Sequence, residues 1–290
     1  MELEISLLTA SPVPECPVEI VERKGLGHPD TICDALSEAT SLALSRAYLE
    51  GCGRILHHNV DKVLLRGGSA RPAFGGGEVL EPIEIYLAGR AAEADFDLDA
   101  LARTTASRWL REHLRALDPE RHVRIKYLVR SGSADLVDLF EGGEGRPLAN
   151  DTSMGCGYAP LSELEVLVLS VEQLLTAPAT RATRPALGED VKVMGVRRGD
   201  AIDLTVACAL IGGKLCDVSA YSDEKAEIAR LVRERAAALV RAEVEVCVNA
   251  ADDEASGRVY LTVTGLSAEA GDDGEAGRGN RVNGLIAPGR

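Results

Sequence analysis

The chain has 290 residues, of which 46% are hydrophobic and 27% charged, with a formal net charge of −14; that length suits about two domains with cores of their own. The negative charge argues against a nucleic-acid or anionic-membrane partner, and a polyphosphate ligand would have to be met by metal ions or by a local cluster of bases. The seven cysteines are scattered without a Cys-x-x-Cys pair, which fits free thiols in a reducing compartment rather than a zinc site.

In chain order, residues 1–21 hold one apolar piece, Ile5 to Leu8, and then a proline-rich turn. Met1-Glu2-Leu3-Glu4 lacks the basic start of a signal peptide, and no apolar run is long enough to span a bilayer; a cytoplasmic protein is expected. Next comes Glu22-Arg23-Lys24-Gly25-Leu26-Gly27-His28-Pro29-Asp30, with bases, a histidine and carboxylates in one glycine-broken loop. Thr31-Ile32-Cys33-Asp34 reads as a capping box, and Ile32, Leu36, Ala39 and Ala43 recur at helical spacing, so a helix is expected from about Thr31 to Glu50. His28 and Asp30 then stand at a helix N-terminus, where free N–H groups and the helix dipole attract phosphate.

Further along, strands are expected at Arg54 to Arg66 and Pro82 to Arg90, with a glycine-rich stretch at residues 67–78 between them. A helix follows from about Asp97 to Leu117, and a strand at Val123 to Val129. Residues 130–160 read as loop. A second series begins with a helix at Leu161 to Leu175, then strands at Val191 to Val196 and Ile202 to Ile211, an amphipathic helix at Tyr221 to Arg241, and strands at Val244 to Val248 and Arg258 to Thr264. Helix–strand–strand–helix–strand thus occurs twice, at about 31–129 and 161–248. The pattern implies an α+β protein in which each sheet buries one face under two helices.

Chemistry gathers in a few other stretches. Asp272, Asp273, Arg278 and Arg281 lie in a glycine-rich segment, where carboxylates suit Mg²⁺ and arginines suit phosphate; a solvated tail is the alternative. In Gly188-Glu189-Asp190-Val191-Lys192-Val193-Met194-Gly195, Asp190 and Lys192 share one face of a strand, as either a nucleotide contact or a simple ion pair. In His57-His58-Asn59-Val60-Asp61-Lys62 the histidines face opposite sides, which leaves Asp61 the better ligand. Asn150-Asp151-Thr152-Ser153 is either an Asx-turn or a wall of a site.

Taken together with Phe74-Gly75-Gly76-Gly77-Glu78 and Thr264 to Ile286, these motifs occur in the order found in the archaeal-type S-adenosylmethionine synthetases (methionine adenosyltransferases). The chain resembles that family from about residue 18 to residue 288. The resemblance implies the reaction of ATP, L-methionine and water to S-adenosylmethionine, pyrophosphate and phosphate, with Mg²⁺ and K⁺ assisting, at sites on a homodimer or partner-completed interface. It also implies repeated helix-on-sheet domains woven from separated segments: here 23–125; 155–265 with 1–22; and 126–154 with 266–290 as gate loop, site loop and pieces of a third domain.

By the same resemblance, His28, Lys192 and Arg278 are catalytic. Glu78, Asp151, Asp190, Asp272, Asp273 and Arg281 bind substrate, and Asp30 and Asp61 bind metal. The chain departs from the family pattern at Lys62, where a glutamine is usual, and at Arg130-Ser131-Gly132, where Gly-Gln-Gly is usual. The family also runs on past residue 290, so the third domain is expected to be truncated. Alternative readings are a non-catalytic homologue that binds nucleotide as a subunit for a full-length partner, and another Mg²⁺-dependent nucleotide enzyme on the same fold.

Overall fold

The computed structural model describes residues 3–7, 9–132 and 157–276, with Asp61 by its backbone alone. Its strands are β1 (Val18–Lys24), β2 (His58–Arg66), β3 (Ser69–Ala73), β4 (Gly76–Glu81), β5 (Ile83–Ala91), β6 (Val123–Arg130), β7 (Leu187–Arg198), β8 (Ala201–Ile211), β9 (Glu243–Val248), β10 (Leu261–Thr262) and β11 (Gly274–Glu275). The helices are α1 (Pro29–Cys52), α2 (Leu98–His113), α3 (Pro119–His122), α4 (Glu163–Thr176), α5 (Pro178–Thr183) and α6 (Val218–Leu239).

The two series fold into sheets of the same design. In the first, β2 and β5 are antiparallel, and β5 and β6 run parallel across α2. In the second, β7 and β8 are antiparallel, and β8 and β9 run parallel across α6. The parallel pairs need a helical crossover, and each series supplies one. Each sheet takes an edge strand from outside its own series, and the second sheet has a fifth strand, β10, parallel to β8. β1, which precedes the first series, pairs with β7 of the second, and β11, which follows the second, pairs with β2 of the first.

Alternation explains the layering. Ile202, Leu204, Val206, Cys208 and Leu210 on β8 are buried, with α4 residues Leu164, Leu167, Val168 and Val171 and α6 residues Ile228 and Val232 in the same core. A separate core joins Ile32 and Leu36 of α1 and Ala102, Ala106 and Leu110 of α2 to Val63, Leu65, Ile83, Ile85 and Leu87. Each buried Val, Leu or Ile among them contributes about 1.5–3 kcal/mol by leaving water.

Local signals place the helix ends. Ser162 and Glu165 form a reciprocal capping box on α4, Asp97 caps α2 and Asp217 caps α6. Gly53 ends α1 at φ 70°, a left-handed position that suits glycine.

Two expectations need correction, and the glycine-rich stretch takes a definite form. Helix α1 starts at Pro29, not Thr31, and its cap is His28. Proline at the first helical position has a fixed, helix-ready φ and needs no N–H partner, so the Thr31 box never forms, and Thr31 Oγ1 is buried without a hydrogen-bond partner. The glycine-rich stretch at 67–78 is mostly the β3–β4 hairpin, turned at Gly75 with φ 75°. The last expected strand shrinks to Leu261–Thr262, because Val263 and Thr264 turn their N–H groups onto the Glu269 carboxylate, each at 2.6 Å.

The loop after β1 stays pinned to β7. Gly25 N–H donates to Val191 C=O at 2.6 Å and Gly27 N–H to Glu189 C=O at 2.9 Å. A Cβ at Gly27 would lie 2.4 Å from backbone atoms of Glu189 and Asp190. Gly27→Ala is therefore expected to lose about 1–3 kcal/mol of stability, as other overpacked positions do. A thermal or urea melt checks this; an unchanged midpoint would show that the loop is not held against β7.

Candidate active site

The register of β1 against β7 builds the site. Lys24 lies directly opposite Lys192, and Glu22 opposite Met194. Side chains alternate along a strand, so Glu22, Lys24 and Lys192 share one face. Glu22 holds both ammoniums, with Oε2 at 3.0 Å from Lys192 Nζ and Oε1 at 3.8 Å from Lys24 Nζ. Lys24 Nζ also donates to Asp30 Oδ2 at 2.7 Å.

Beyond Lys24 the chain turns into α1 and sets His28 as the cap. The Asp30 backbone N–H donates to His28 Nδ1 at 3.2 Å. A neutral imidazole that accepts at Nδ1 carries its proton on Nε2, so His28 keeps an N–H donor for a ligand. Burial, then the charge of Lys24 and more weakly that of Lys192, hold the His28 pKa down to about 4, against the opposite pull of Asp30 and Glu22. His28 is thus a neutral hydrogen-bond donor at physiological pH. For Asp30, burial works to raise the pKa, but the Lys24 hydrogen bond and the Glu275 N–H, which donates to Oδ1 at 3.1 Å, outweigh it and hold the carboxyl below its usual range.

The segment at 265–276 closes the site from the other side. Asp190 is buried, and its Oδ2 accepts from Ser267 N–H at 2.9 Å and Ser267 Oγ at 2.5 Å. Burial pushes its pKa up to about 6, against the pull of those two bonds. Asp272 lies close enough to Asp190 for its charge to add to that rise. Asp273 Oδ1 accepts from Gly67 N–H at 2.8 Å, and so ties the segment to the end of β2. Gly274 presses on the start of α1, where a Cβ would meet Pro29 backbone at 2.4 Å. A solvated tail, one alternative for this stretch, is not its state as far as Ala276.

The fold therefore brings His28, Asp30, Asp190, Lys192, Asp272 and Asp273 around the end of β1, from the start of α1, from β7 and from the segment before β11. Glu78 is elsewhere. It sits on the β3–β4 hairpin, exposed and paired with Arg71 at 2.7 Å. Asp151, Arg278 and Arg281 lie outside the described residues, as does the Asp61 side chain; the Asp61 backbone is in β2.

Sequence reasoning passed over Glu22 and Lys24 as site residues, although their spacing of two before His28 was a signal. It also passed over Glu189 and Ser267. Glu189 is fully buried and accepts from Arg115 Nε at 2.6 Å, with Arg181 Nη1 at 3.5 Å; this anchors the strand that Gly27 leans on. A cleft of about 570 Å³ opens beside Lys24, Thr31 and Trp109, but His28, Asp190 and Lys192 do not line it.

Since the His28 pKa in the fold lies below its ordinary value of 6.5, protons bind the unfolded chain first. His28 then supports folding above pH 6.5, and that contribution fades as the pH falls toward 4. An imidazole NMR titration is expected to place His28 near pH 4, and His28→Asn should flatten the loss of stability between those limits. A midpoint near 6.5 would show an exposed, ordinary histidine.

Three comparisons bear on this arrangement. The family model described as S-adenosylmethionine synthetase (AdoMet synthetase) matches residues 1–290. The chain is 52% identical to the probable S-adenosylmethionine synthase of Aquifex aeolicus, over 98% of this chain and 73% of that protein. It is 50% identical to the S-adenosylmethionine synthase of Pyrococcus furiosus, over 98% of this chain and 72% of that protein. In fold it matches an unusual S-adenosylmethionine synthetase from Campylobacter jejuni with a TM-score of 0.54 at 14% sequence identity, over 91% of this chain and 63% of that one. The similarity in sequence runs through the strand, loop and helix that set Lys24, His28 and Lys192 together, and through nearly everything around them: this chain belongs to the S-adenosylmethionine synthetase family.

Proposed function

We propose that the protein is a methionine adenosyltransferase that converts ATP, L-methionine and water to S-adenosylmethionine, pyrophosphate and phosphate. The observation that carries the chemistry is the neutral His28 donor beside the paired ammoniums of Lys24 and Lys192. Membership of the family supplies the substrates.

In this reaction the methionine sulfur gives a lone pair to C5′ of ATP, the C5′–O bond breaks, and its electrons leave with the tripolyphosphate. A thioether is a weak nucleophile, so positioning and leaving-group stabilisation have to supply most of the rate. Holding the reactants in line is worth roughly 7–11 kcal/mol. Negative charge grows on the departing oxygen, and His28 Nε2–H donates to it without gaining or losing a proton. Lys192 and Lys24 balance the charge of the phosphates. Groups already fixed before reaction do this without reorganising, and Glu22 and Asp30 fix both ammoniums.

Mg²⁺ and K⁺ belong to the same proposal. Among the described residues there is no cluster of three or more metal-ligating side chains. Asp30 nevertheless fits a hard cation. It is a carboxylate held ionised, and a cationic group, the Lys24 ammonium, already lies 2.7 Å from Oδ2. Asp30 would hold Mg²⁺, with Asp61 as the further candidate that the sequence offers. Bound Mg²⁺ would offset phosphate charge in a protein of net charge −14.

We also propose roles for the remaining site residues. Asp190, Asp272 and Asp273 face the adenosine and methionine, and Arg278, Arg281 and Asp151 complete the phosphate and nucleotide contacts. Glu78, on its separate hairpin, would serve a second copy's site in a homodimer. Ile20, Leu64 and Leu128 support that assembly, being 66%, 47% and 53% exposed on the strands. The domain limits 23–125 and 155–265 with 1–22 are proposed on the two separate cores. A cytoplasmic location fits the free cysteines, and no helix among the described residues is long and apolar enough to cross a membrane.

The test is to incubate the purified 290-residue chain with ATP, Mg²⁺, K⁺ and methionine, and to follow S-adenosylmethionine by mass spectrometry. Methionine-dependent product is expected. His28→Ala and Lys192→Ala should each lower kcat by roughly 10²–10³, the range for losing a preorganised donor. No product while ATP still binds would assign a nucleotide-binding subunit instead.

A further inference from the structure

The cleft of about 570 Å³ is lined mainly by helices, and His28, Asp190 and Lys192 take no part in it. One stripe of α1 forms a wall: Thr31, Asp34, Ala35, Glu38, Ala39 and Leu42 recur at the three- and four-residue steps that put side chains on one helix face. Trp109 and His113, one turn apart on α2, and Glu172 and Thr176, one turn apart on α4, line it too, with Arg23 and Lys24 of β1. The cleft thus opens where elements that cover the two separate cores meet. Small-molecule sites favour such junctions and usually measure about 300–1,000 Å³.

The lining combines apolar surface with acceptors. Ala35, Ala39, Leu26 and Leu42 supply the apolar part, and Leu26 and Leu42 are exposed. Trp109, the one tryptophan of the chain, is stacked on the His113 ring with 4.5 Å between centroids. His113 Nδ1 donates to the Trp109 carbonyl at 2.8 Å, since a carbonyl can only accept, and Nε2 of the neutral ring is then an acceptor. Thr31 is only 7% exposed, and its hydroxyl has no hydrogen-bond partner.

The charges favour a cation. The carboxylates Asp34, Glu38 and Glu172 line the cleft against the two bases Arg23 and Lys24. Both bases are already matched: Arg23 Nε donates to Glu172 Oε2 at 2.9 Å, and Lys24 Nζ to Asp30 Oδ2 at 2.7 Å. Glu38 is exposed, and among the described residues its carboxylate has no ion pair or hydrogen bond. A carboxylate in one cleft with an indole face is a combination that attracts organic cations. Arg23 Nη1 is buried without a partner, which taken alone would favour an anion, but the Glu172 carboxylate already neutralises that guanidinium.

We propose that the cleft between α1, α2 and α4 binds an amphipathic organic cation, an ammonium group on a flat apolar body. The body packs on Trp109 and Leu42. The ammonium carries three donors and no acceptor, so it suits a lining whose unpaired groups are the Glu38 carboxylate and a ring nitrogen of His113. The Thr31 hydroxyl lies two turns from Glu38 on α1, about 10 Å along the axis, and would take a second polar group on a longer ligand. The site goes beyond the adenosyltransferase reading and does not rest on it, because none of its contacts uses His28, Asp190 or Lys192.

Since Trp109 is the only tryptophan, its fluorescence reports on the cleft. The experiment is titration of the 290-residue chain with phenethylammonium, followed by Trp109 fluorescence and by calorimetry, beside two probes of similar shape and other charge, 2-phenylethanol and phenylacetate. Saturable binding of the ammonium is expected, with a dissociation constant of about 1 mM for so small a probe. The alcohol should bind roughly three- to tenfold more weakly, having lost the attraction to Trp109 and Glu38, and phenylacetate more weakly still. Glu38→Gln should weaken the ammonium by roughly two- to fivefold and leave the alcohol unchanged. Ala39→Leu keeps a good helix former on α1 and should obstruct the cleft and abolish binding, with circular dichroism to check that the fold is kept. Lys192→Ala should leave binding in place. No saturable binding, equal affinity for the alcohol, or tighter binding of phenylacetate would each overturn the proposal. So would unchanged affinity in Glu38→Gln and Ala39→Leu, or loss of binding in Lys192→Ala alone, which would put the probe at the catalytic site. Binding is read without turnover, so failure of the proposed reaction leaves this result standing.

Discussion

Antiparallel pairing of β1 with β7 forces two ammonium groups, Lys24 and Lys192, to stand side by side. Left alone, such a pair weakens a sheet by a fraction of a kcal/mol, up to about 1. Here Glu22 bridges both, and Asp30 takes the second contact of Lys24. The arrangement stores positive charge at one place in an acidic protein without leaving it unbalanced. In the proposed reaction the same arrangement would respond to ligand. There, a phosphate would take over the ammoniums and a cation the carboxylates. The neutral state of His28 follows from the same cluster, since burial beside an ammonium disfavours a second positive charge.

The exchange of edge strands explains why this cluster lies where it does. β1 leaves the second sheet, and the chain passes at once into α1, which covers the first. β11 returns from the second series to the edge of the first sheet. These two passages from the second sheet to the first meet at the start of α1. Gly274 lies against Pro29, and the Glu275 N–H reaches Asp30. A site built at such a crossing has ligating groups from segments far apart in sequence, each held by its own sheet. Glu189 reinforces the junction, because its carboxylate takes Arg115 from the α2–α3 connection while its carbonyl takes the Gly27 N–H.

Charge is managed differently on the two open sheet faces. Around β1 every base has a carboxylate beside it. At the far end of β5 and β6, Arg90 and Arg130 face each other without one among the described residues. The bulge at Gly89 turns Lys62, which has a partner of its own, onto the same face, and a bulge changes the facing of one residue while leaving the ladder on either side intact.

The α+β class and the repeated order of elements were legible in the sequence, because period-2 and period-3.6 patterns are local properties of β8, α4 and α6. His28, Asp30, Asp190 and Lys192 were legible too, since a glycine-broken loop and a charged strand concentrate chemistry in a few adjacent residues. The start of α1 was misread because two local signals competed, and Pro29 with its fixed φ prevailed over the Thr31 box. Only the tertiary structure decided which strand lies beside which. Pairing of β1 with β7 joins residues some 170 positions apart, and no local pattern encodes that register. The same is true of Glu22 between its lysines, of Ser267 on the buried Asp190 and of Arg90 against Arg130. Sequence determined which residues could carry charge and which had to be buried. Register, a long-range property, decided which charges meet.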